Sequence, residues 1–208
     1  MLIEGRSSSQ SNECPLDNNK LYILDPEGNQ IWKYTNLRDK FDAPQKYNID
    51  ADVKNAVSLS IDGNVYVANK DGSIIKIFGG SKQPLTLKRQ PVKPITAPTQ
   101  IFTQLDMPQL YLLEPSTGRV MVYYKDEQNK ALTYQAQYIF DELKDIRSIY
   151  VDKDTNKLYL MDASKIYEVD LSQTAPVSTT TVTVTPPPVV PVRVSTKEAP
   201  PAGGIANL

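Results

Sequence analysis

The sequence predicts an all-β fold, a partial β-propeller of about four blades with four antiparallel strands each. A tyrosine-centred strand motif recurs four times, at spacings of 44, 45 and 48 residues. The strands that carry it are apolar on both faces, and turn-forming residues separate neighbouring strands. Four antiparallel strands in a repeat of about 45 residues are typical of a propeller blade.

Each copy of the motif is a short apolar strand that ends in an acid or amide and is followed by a turn. A second short strand follows each turn. The motif copies are Lys20–Asp25, Asn64–Asn69, Leu110–Glu114 and Lys157–Asp162, with Tyr22, Tyr66, Tyr111 and Tyr159 aligned. The strands after them are Ile31–Tyr34, Ile74–Phe78, Val120–Tyr124 and Ile166–Val169.

Two further kinds of strand complete the predicted blade. Inner strands precede three of the motifs, and the first of these ends in the hairpin turn Asp62-Gly63, where glycine accepts a positive φ. The predicted inner strands are Val57–Ile61, Gln100–Thr103 and Ile146–Val151, and the outer strands are Gln45–Ile49, Leu85–Arg89 and Thr133–Phe140. We expect blade 1 to lack its innermost strand and blade 4 to lack a clear outer strand, because loop-like and proline-rich residues flank them.

The motif strands do not alternate between apolar and polar residues, as Leu21–Leu24 shows. A sheet with one face in water would alternate. Sheets that are apolar on both faces must be covered on both, as blades stacked around an axis are. An open arc would expose a blade face, so we favour a fragment of a longer propeller over an arc that pairs with a partner.

The predicted organisation is a disordered segment 1–15, blades at about 16–50, 51–94, 95–141 and 142–171, and a disordered tail 172–208. The tail is rich in Pro, Thr and Val and contains seven of the sixteen prolines, which remove hydrogen-bond donors. Its segment Val177–Val184 alternates with threonine, and an added edge strand there is the alternative to a plain spacer.

The strand pattern resembles known propeller families. Asp62–Asn69 is similar to the G-x-(I/V/L)-Y-V-x-D strand of NHL-type and related six-bladed propellers, and Leu24–Tyr34 resembles the PQQ-type repeat. Over about Leu16–Leu171 the repeats resemble C-terminal propeller regions of uncharacterised bacterial proteins, some with a PP2C-like phosphatase domain and a membrane anchor. That resemblance implies architecture, and it places the chain on the extracytoplasmic side of a bacterial membrane if an anchor precedes it.

Composition excludes several classes of function. With 23 basic and 24 acidic residues the net charge is −1, which argues against a nucleic-acid module. The chain has no histidine, so a Ser-His-Asp triad and a histidine-ligated metal are excluded. Cys14 is the single cysteine and excludes an internal disulfide. No run of about eighteen apolar residues predicts a transmembrane helix.

Two groups of acidic and amide residues are candidate metal ligands. Asp152–Asn156 has the spacing of half a calcium loop, but Lys157 and Ala163 stand where that loop needs Gly and Glu, so we predict a polar turn. The residues at the end of each motif could line one end of a ring around a metal, or cap the turn that follows. Because turn capping explains all four, we predict that role for Asp25, Asn69, Glu114 and Asp162.

Other conspicuous residues receive structural interpretations. We place Trp32 and the repeated tyrosines between blades, and read Gly79-Gly80 as a loop without the context of a phosphate site. Lys82–Lys93 is predicted as a solvated outer strand whose lysines protect its edge, and Cys14 as a free thiol. We therefore assign no catalytic, cofactor-binding or metal-binding residue.

The leading hypothesis is a non-catalytic binding or scaffolding module that needs no cofactor and contacts a protein partner, a ligand or remaining blades. Its candidate recognition loops join each outer strand to the next inner strand: Asp50–Ala56, Gln90–Pro98 and Asp141–Asp145. The alternatives are a fragment of a metal-dependent, lactonase-type hydrolase and a sensory ectodomain of a membrane-anchored signalling protein.

Overall fold

The computed structural model describes residues 2–4, 20–38, 40–128, 130–143, 145–173, 192–193 and 197–198. These residues form an all-β arc, which confirms the predicted fold class. Cys14, Val177–Val184 and most of the segments 1–15 and 172–208 lie outside the described residues, and the predicted domain limits stay a prediction.

In the described part of the chain, four sheets correspond to the four predicted blades; they are antiparallel except for two short strands that pair in parallel with blade 3. Blade 1 contains β1 (Leu2–Glu4), β2 (Lys20–Asp25), β3 (Gln30–Thr35) and β4 (Gln45–Lys46). Blade 2 contains β5 (Ala56–Ile61), β6 (Val65–Asn69), β7 (Ile74–Phe78) and β8 (Ser81–Gln83), and β9 (Thr86–Lys88) follows it. Blade 3 contains β10 (Gln100–Phe102), β11 (Gln109–Glu114), β12 (Arg119–Asp126) and β13 (Ala131–Ile139). Blade 4 contains β14 (Ser148–Asp152), β15 (Lys157–Met161) and β16 (Ile166–Asp170). Two short strands complete the set: β17 (Val192–Arg193) and β18 (Lys197–Glu198).

Two expectations about missing strands are wrong. Blade 1 has an innermost strand, because β1 pairs antiparallel with β2 and places Leu2 opposite Ile23. Blade 4 has an outer strand, because β18 pairs with β16. In both cases the missing strand comes from residues far along the chain. Sequence inspection next to Lys20 and Asp170 could not find a partner that arrives across a long connection.

The outer strand of blade 2 also differs from the prediction. Gly79 and Gly80, at φ of 58° and 89°, turn the chain so that β8 rather than Leu85–Arg89 pairs with β7. The predicted segment contains β9, which instead runs parallel to the start of β13 in blade 3. A Cβ at Gly80 would lie 2.4 Å from the Tyr47 carbonyl oxygen, so this turn requires glycine.

The blades pack face to face through three apolar cores. We call the face of a blade that contacts the next blade its forward face, and the opposite face its rear face. The repeated tyrosine lies on the forward face, and Tyr66 and Tyr111 are 1% and 5% exposed. All five residues of β6 are buried, so this motif strand is covered on both faces as predicted, whereas β2 and β15 in the end blades are only partly buried.

Side chains of the innermost strands also join neighbouring blades. Ser58 Oγ accepts a hydrogen bond from the Ile101 backbone N–H at 3.2 Å, linking blade 2 to blade 3. Gln100 Oε1 accepts one from the Ile149 N–H at 2.7 Å, linking blade 3 to blade 4. The inner strands of blades 2 and 3 therefore each present a polar side chain to the backbone of the next inner strand.

The links from one blade to the next cross the arc at one end, which we call the connector end. They are residues 47–55, 89–99 and 140–147. The turns between the second and third strands of each blade lie at the same end, since Asn29 Oδ1 accepts the Val53 N–H at 2.7 Å and Glu114 accepts the Thr96 N–H. In the described part of the chain, no helix is long and apolar enough to cross a membrane.

Candidate functional site

The turns of blades 1 and 4 are capped by the acid that ends the motif strand. Asp25 Oδ1 accepts the Gly28 backbone N–H at 2.9 Å, and this hydrogen bond is the main reason that the pKa of Asp25 is lowered. Asp162 accepts the N–H groups of Ser164 and Lys165, both at 2.7 Å. The turn-capping interpretation is confirmed at both positions.

Asp162 accepts a third hydrogen bond, from the Tyr167 hydroxyl at 2.8 Å. The Ser164 hydroxyl is a fourth donor, at 3.3 Å. These donors favour the ionised form, so the pKa of Asp162 is lowered to about 2, with the Ser164 N–H as the largest cause. The carboxylate is committed to its own turn. These hydrogen bonds stabilise the local turn, and the geometry gives no indication that Asp162 is a metal ligand.

The third recurring acid, Glu114, is fully buried at the turn of blade 3. Its Oε1 accepts the N–H groups of Thr96 and Ala97, and its Oε2 accepts hydrogen bonds from Arg119 Nε at 2.5 Å and from Thr117. Burial opposes ionisation, but these hydrogen bonds outweigh it and hold the pKa of Glu114 at about 2.

Arg119 extends the same network to the backbone of the connector between blades 2 and 3. Its guanidinium donates to the carbonyl oxygens of Lys93 at 2.9 Å and Pro94 at 2.6 Å. The candidate loop Gln90–Pro98 is thus fixed to blade 3 by buried charge-assisted hydrogen bonds, which are stronger than neutral ones.

Asn69 ends the motif strand of blade 2 and differs from the other three residues. Its Nδ2 donates to Ser73 Oγ at 2.9 Å, so it also helps to hold its turn. However, its Oδ1 is buried and has no hydrogen-bond partner among the described residues. A buried carbonyl oxygen without a hydrogen-bond donor costs free energy, and buried polar atoms are for this reason normally hydrogen-bonded.

A pocket of about 350 Å³ lies beside Asn69. The connector between blades 1 and 2 contributes Asp52 and Asn55 to it, the turn of blade 2 contributes Asn69 and Ser73, and the outer strand contributes Lys82 and Gln83. Ile74, Ile75 and Leu85 add an apolar wall. The lining combines carboxylate, amide, hydroxyl and ammonium groups, so it is suited to a small polar group with both donors and acceptors.

The structure brings only one of the three predicted recognition loops to this pocket. Asp50–Ala56 lines it, and the Asp50 carboxylate also accepts the Lys82 backbone N–H at 2.6 Å. Gln90–Pro98 is held on blade 3, and Asp141–Asp145 lies at the boundary between blades 3 and 4, where Leu143 joins the apolar core.

The segment Asp152–Asn156 is a polar turn, as predicted. Asp152 Oδ1 accepts the backbone N–H groups of Asp154 and Thr155, and a hydrogen bond from the Thr155 side chain is the largest cause of the lowered pKa of Asp152. Across the described ranges, no three His, Cys, Asp or Glu side chains come together as a metal site would require.

The structure also locates Trp32 and the lysine-rich segment Lys82–Lys93. Trp32 lies on the rear face of blade 1, opposite Ile23, and its Nε1 donates to Asp25 Oδ2 at 3.3 Å. It is half-buried, and no described blade covers that face. In the segment Lys82–Lys93, Lys82 lines the pocket and Lys88 lies in β9, so its lysines do not form one patch.

A buried charged cluster between blades 2 and 3 was not predicted. Lys125 pairs with Asp62, Lys76 pairs with Glu127, and both ammonium groups lie over the ring of Tyr66, at 5.8 and 5.7 Å from its centre. Burial and the nearby carboxylates raise the pKa of Tyr66. The sequence signals for this cluster were Lys76 within the otherwise apolar strand Ile74–Phe78 and Lys125 directly after the apolar run Val120–Tyr124.

Comparisons with known proteins were made for sequence and for structure. No known protein family and no curated protein matches the sequence. Among solved structures, the chain is similar to one in the nidogen/laminin complex, with a TM-score of 0.54, 16% identity, and coverage of 75% of this chain and 59% of that one. It is also similar to one in the yeast Nup82-Nup159-Nup116 nucleoporin complex, with a TM-score of 0.57, 13% identity, and coverage of 74% and 57%.

A third similar structure is hydrazine synthase of Kuenenia stuttgartiensis, with a TM-score of 0.52, 12% identity, and coverage of 76% of this chain and 44% of that one. The chain therefore spans less than two thirds of each of these proteins. All three are β-propeller-like. The architecture is that of a β-propeller arc, and at these identities the likeness concerns the fold alone.

Proposed function

We propose that this chain is a non-catalytic binding module and that the pocket beside Asn69 is its recognition site. The observation that carries the proposal is the pocket itself, about 350 Å³ in volume and lined by carboxylate, amide, hydroxyl and ammonium groups. Such groups can pair with the donors and acceptors of a bound molecule. Hydrogen bonds from the Val53 N–H to Asn29 Oδ1 and from the Lys82 N–H to Asp50 tie the lining connector to the blades, which supports recognition by a preformed surface with little entropy lost on binding.

The partner is a protein or a ligand with exposed hydroxyl or amide groups. Two of the similar structures are protein complexes, which is consistent with such a module. We also propose that the chain is an NHL-like propeller of a bacterial protein, because of the strand pattern of Asp62–Asn69.

Glycan and peptide arrays probed with the purified chain test the proposal. We expect a defined set of hits, weakened at least tenfold in affinity by the double variant Asn55→Ala with Lys82→Ala, because both side chains line the pocket. Lys88→Ala is the matched control, since this exposed lysine lies in β9 outside the pocket. Arrays without hits, or hits that the double variant binds as well as the control does, would refute the proposal.

Calorimetry with Ca²⁺, Mg²⁺ and Zn²⁺ tests the competing hydrolase. A non-catalytic module predicts no tight uptake of these ions, whereas a metal-dependent propeller enzyme predicts stoichiometric binding.

A further inference from the structure

No described residue range covers the forward face of blade 4, which carries three large exposed apolar side chains beside the Lys157–Glu168 ion pair. Met161 and Ile166 are 44% and 51% exposed. Their register places them where blade 3 has Leu113 and Val120, which are both fully buried against blade 4. Tyr150, on the inner strand of the same face, is 52% exposed. A set of large apolar side chains of this kind marks a contact surface.

The rear face of blade 1 is its counterpart at the other end of the arc. Ile23, Trp32 and Tyr34 are all partly exposed there. In blade 3 the equivalent positions are Leu112, Met121 and Tyr123, each with 0% exposure against blade 2. The arc therefore ends in two faces whose exposed apolar side chains repeat those of its internal interfaces, except that Glu168 stands on blade 4 where blade 3 has Val122.

The inner strands at the two ends of the arc have residues at the positions that form the internal hydrogen bonds. Ser58 and Gln100 each accept a backbone N–H from the inner strand of the next blade. The equivalent side chain in blade 4 is Ser148, at the start of β14. The equivalent backbone N–H in blade 1 is that of Leu2, which β1 pairs with Ile23.

Every internal interface joins a forward face to a rear face, never two faces of the same kind. The two uncovered faces are thus complementary to each other and not to themselves. We propose that two copies of this chain associate head to tail, with the forward face of blade 4 on the rear face of blade 1 of the second copy. Contacts of this type close into a ring when the rotation allows it. Two copies supply eight blades, within the range of known rings.

Analytical ultracentrifugation of the full chain over about 1–100 μM tests the proposal. We expect the mass of a dimer, and we expect both Ile166→Lys and Tyr34→Lys to weaken dimerisation at least tenfold by placing a charge in each contact. Val92→Lys is the matched control, because Val92 is 79% exposed and lies on a connector away from both faces. Circular dichroism verifies that each variant keeps the wild-type fold.

Mixing the two variants distinguishes head-to-tail contacts from symmetric ones. A mixed head-to-tail dimer contains one wild-type interface and one doubly changed interface, so mixing is expected to recover part of the association. A monomer at every concentration overturns the proposal. So does a dimer that only one of the two face variants weakens, because that result would indicate contact between two identical faces.

Discussion

Two buried ion pairs stabilise blade 3, and they act over different distances along the chain. Glu114 and Arg119 are five residues apart, on either side of one turn, and their side chains are 0% and 3% exposed. Asp62 and Lys125 belong to different blades, and their side chains are 8% and 7% exposed. The first pair fixes a connector to its own blade, whereas the second fixes blade 3 against blade 2.

The surroundings of the two pairs differ as well. Glu114 receives backbone and hydroxyl donors in addition to Arg119, so both of its oxygens are satisfied within a local turn and connector. Asp62 accepts the backbone N–H of Asn64 at 3.0 Å, and Lys125 also donates to Thr103 Oγ1 at 2.8 Å. Removing one member of a buried pair costs more than the pair contributes, since the other charge is left in a medium of low polarity.

The largest expected effect is that of Arg119→Ala. This change leaves the Glu114 carboxylate buried without its cation and frees the connector carbonyls of Lys93 and Pro94. We expect a loss of about 3–5 kcal/mol in the free energy of unfolding, measured by urea denaturation. Arg147→Ala is the control, because the exposed Arg147–Asp145 pair should contribute less than about 1 kcal/mol. Equal losses in the two variants would show that the buried pair has no special role.

The pH dependence of stability tests the same carboxylate. The pKa of Glu114 in the folded state, about 2, lies below its ordinary value of 4.5. Its contribution is therefore complete above pH 4.5 and is lost as the pH falls from 4.5 towards 2. We expect urea denaturation at pH 7, 5, 4 and 3 to show a steeper acid loss for the wild type than for Glu114→Gln, which does not titrate. Parallel pH profiles would contradict this assignment.

A smaller loss is expected from Lys125→Met, which keeps the length of the side chain and removes its charge. Asp62 would remain buried, but it would keep its hydrogen bonds from Asn64. We therefore expect a loss of about 2–3 kcal/mol. Hydrogen exchange is expected to rise in both β5 and β10, because the pair joins two blades. A rise confined to blade 3 would show that the pair does not act across the interface.

We expect the smallest loss of stability from Lys76→Met, which changes the other lysine that lies over the Tyr66 ring. Lys76→Met removes the partner of Glu127, whose side chain is 59% exposed and can be hydrated. We expect a change of less than about 1 kcal/mol in the free energy of unfolding. If Lys76→Met and Lys125→Met lowered the free energy of unfolding by the same amount, exposure of the partner carboxylate would not determine the loss of stability.

Much of the local structure could be predicted from the sequence because the patterns that specify it span only a few neighbouring residues. The motif strands Lys20–Asp25 and Lys157–Asp162 were found from apolar runs that end in a turn-capping acid, and β2 and β15 occupy those positions. The turn capping by Asp25 and Asp162 followed from the same short-range pattern.

The contacts that join distant parts of the chain could not be predicted in this way. The pairing of β1 with β2 and the transfer of β9 to blade 3 depend on long connections rather than on adjacent residues. The pocket was missed for the same reason, because Asp52, Asn69 and Lys82 meet only after three segments fold together.

The number of blades, the position of the repeated tyrosines and the absence of histidine could all be inferred from the sequence. These properties follow from periodicity and composition, which act within a few residues or over the whole chain. The covered faces, the paired charges and the position of the pocket became evident in the folded chain. Those outcomes depend on contacts between residues far apart in sequence, such as Asp62 with Lys125.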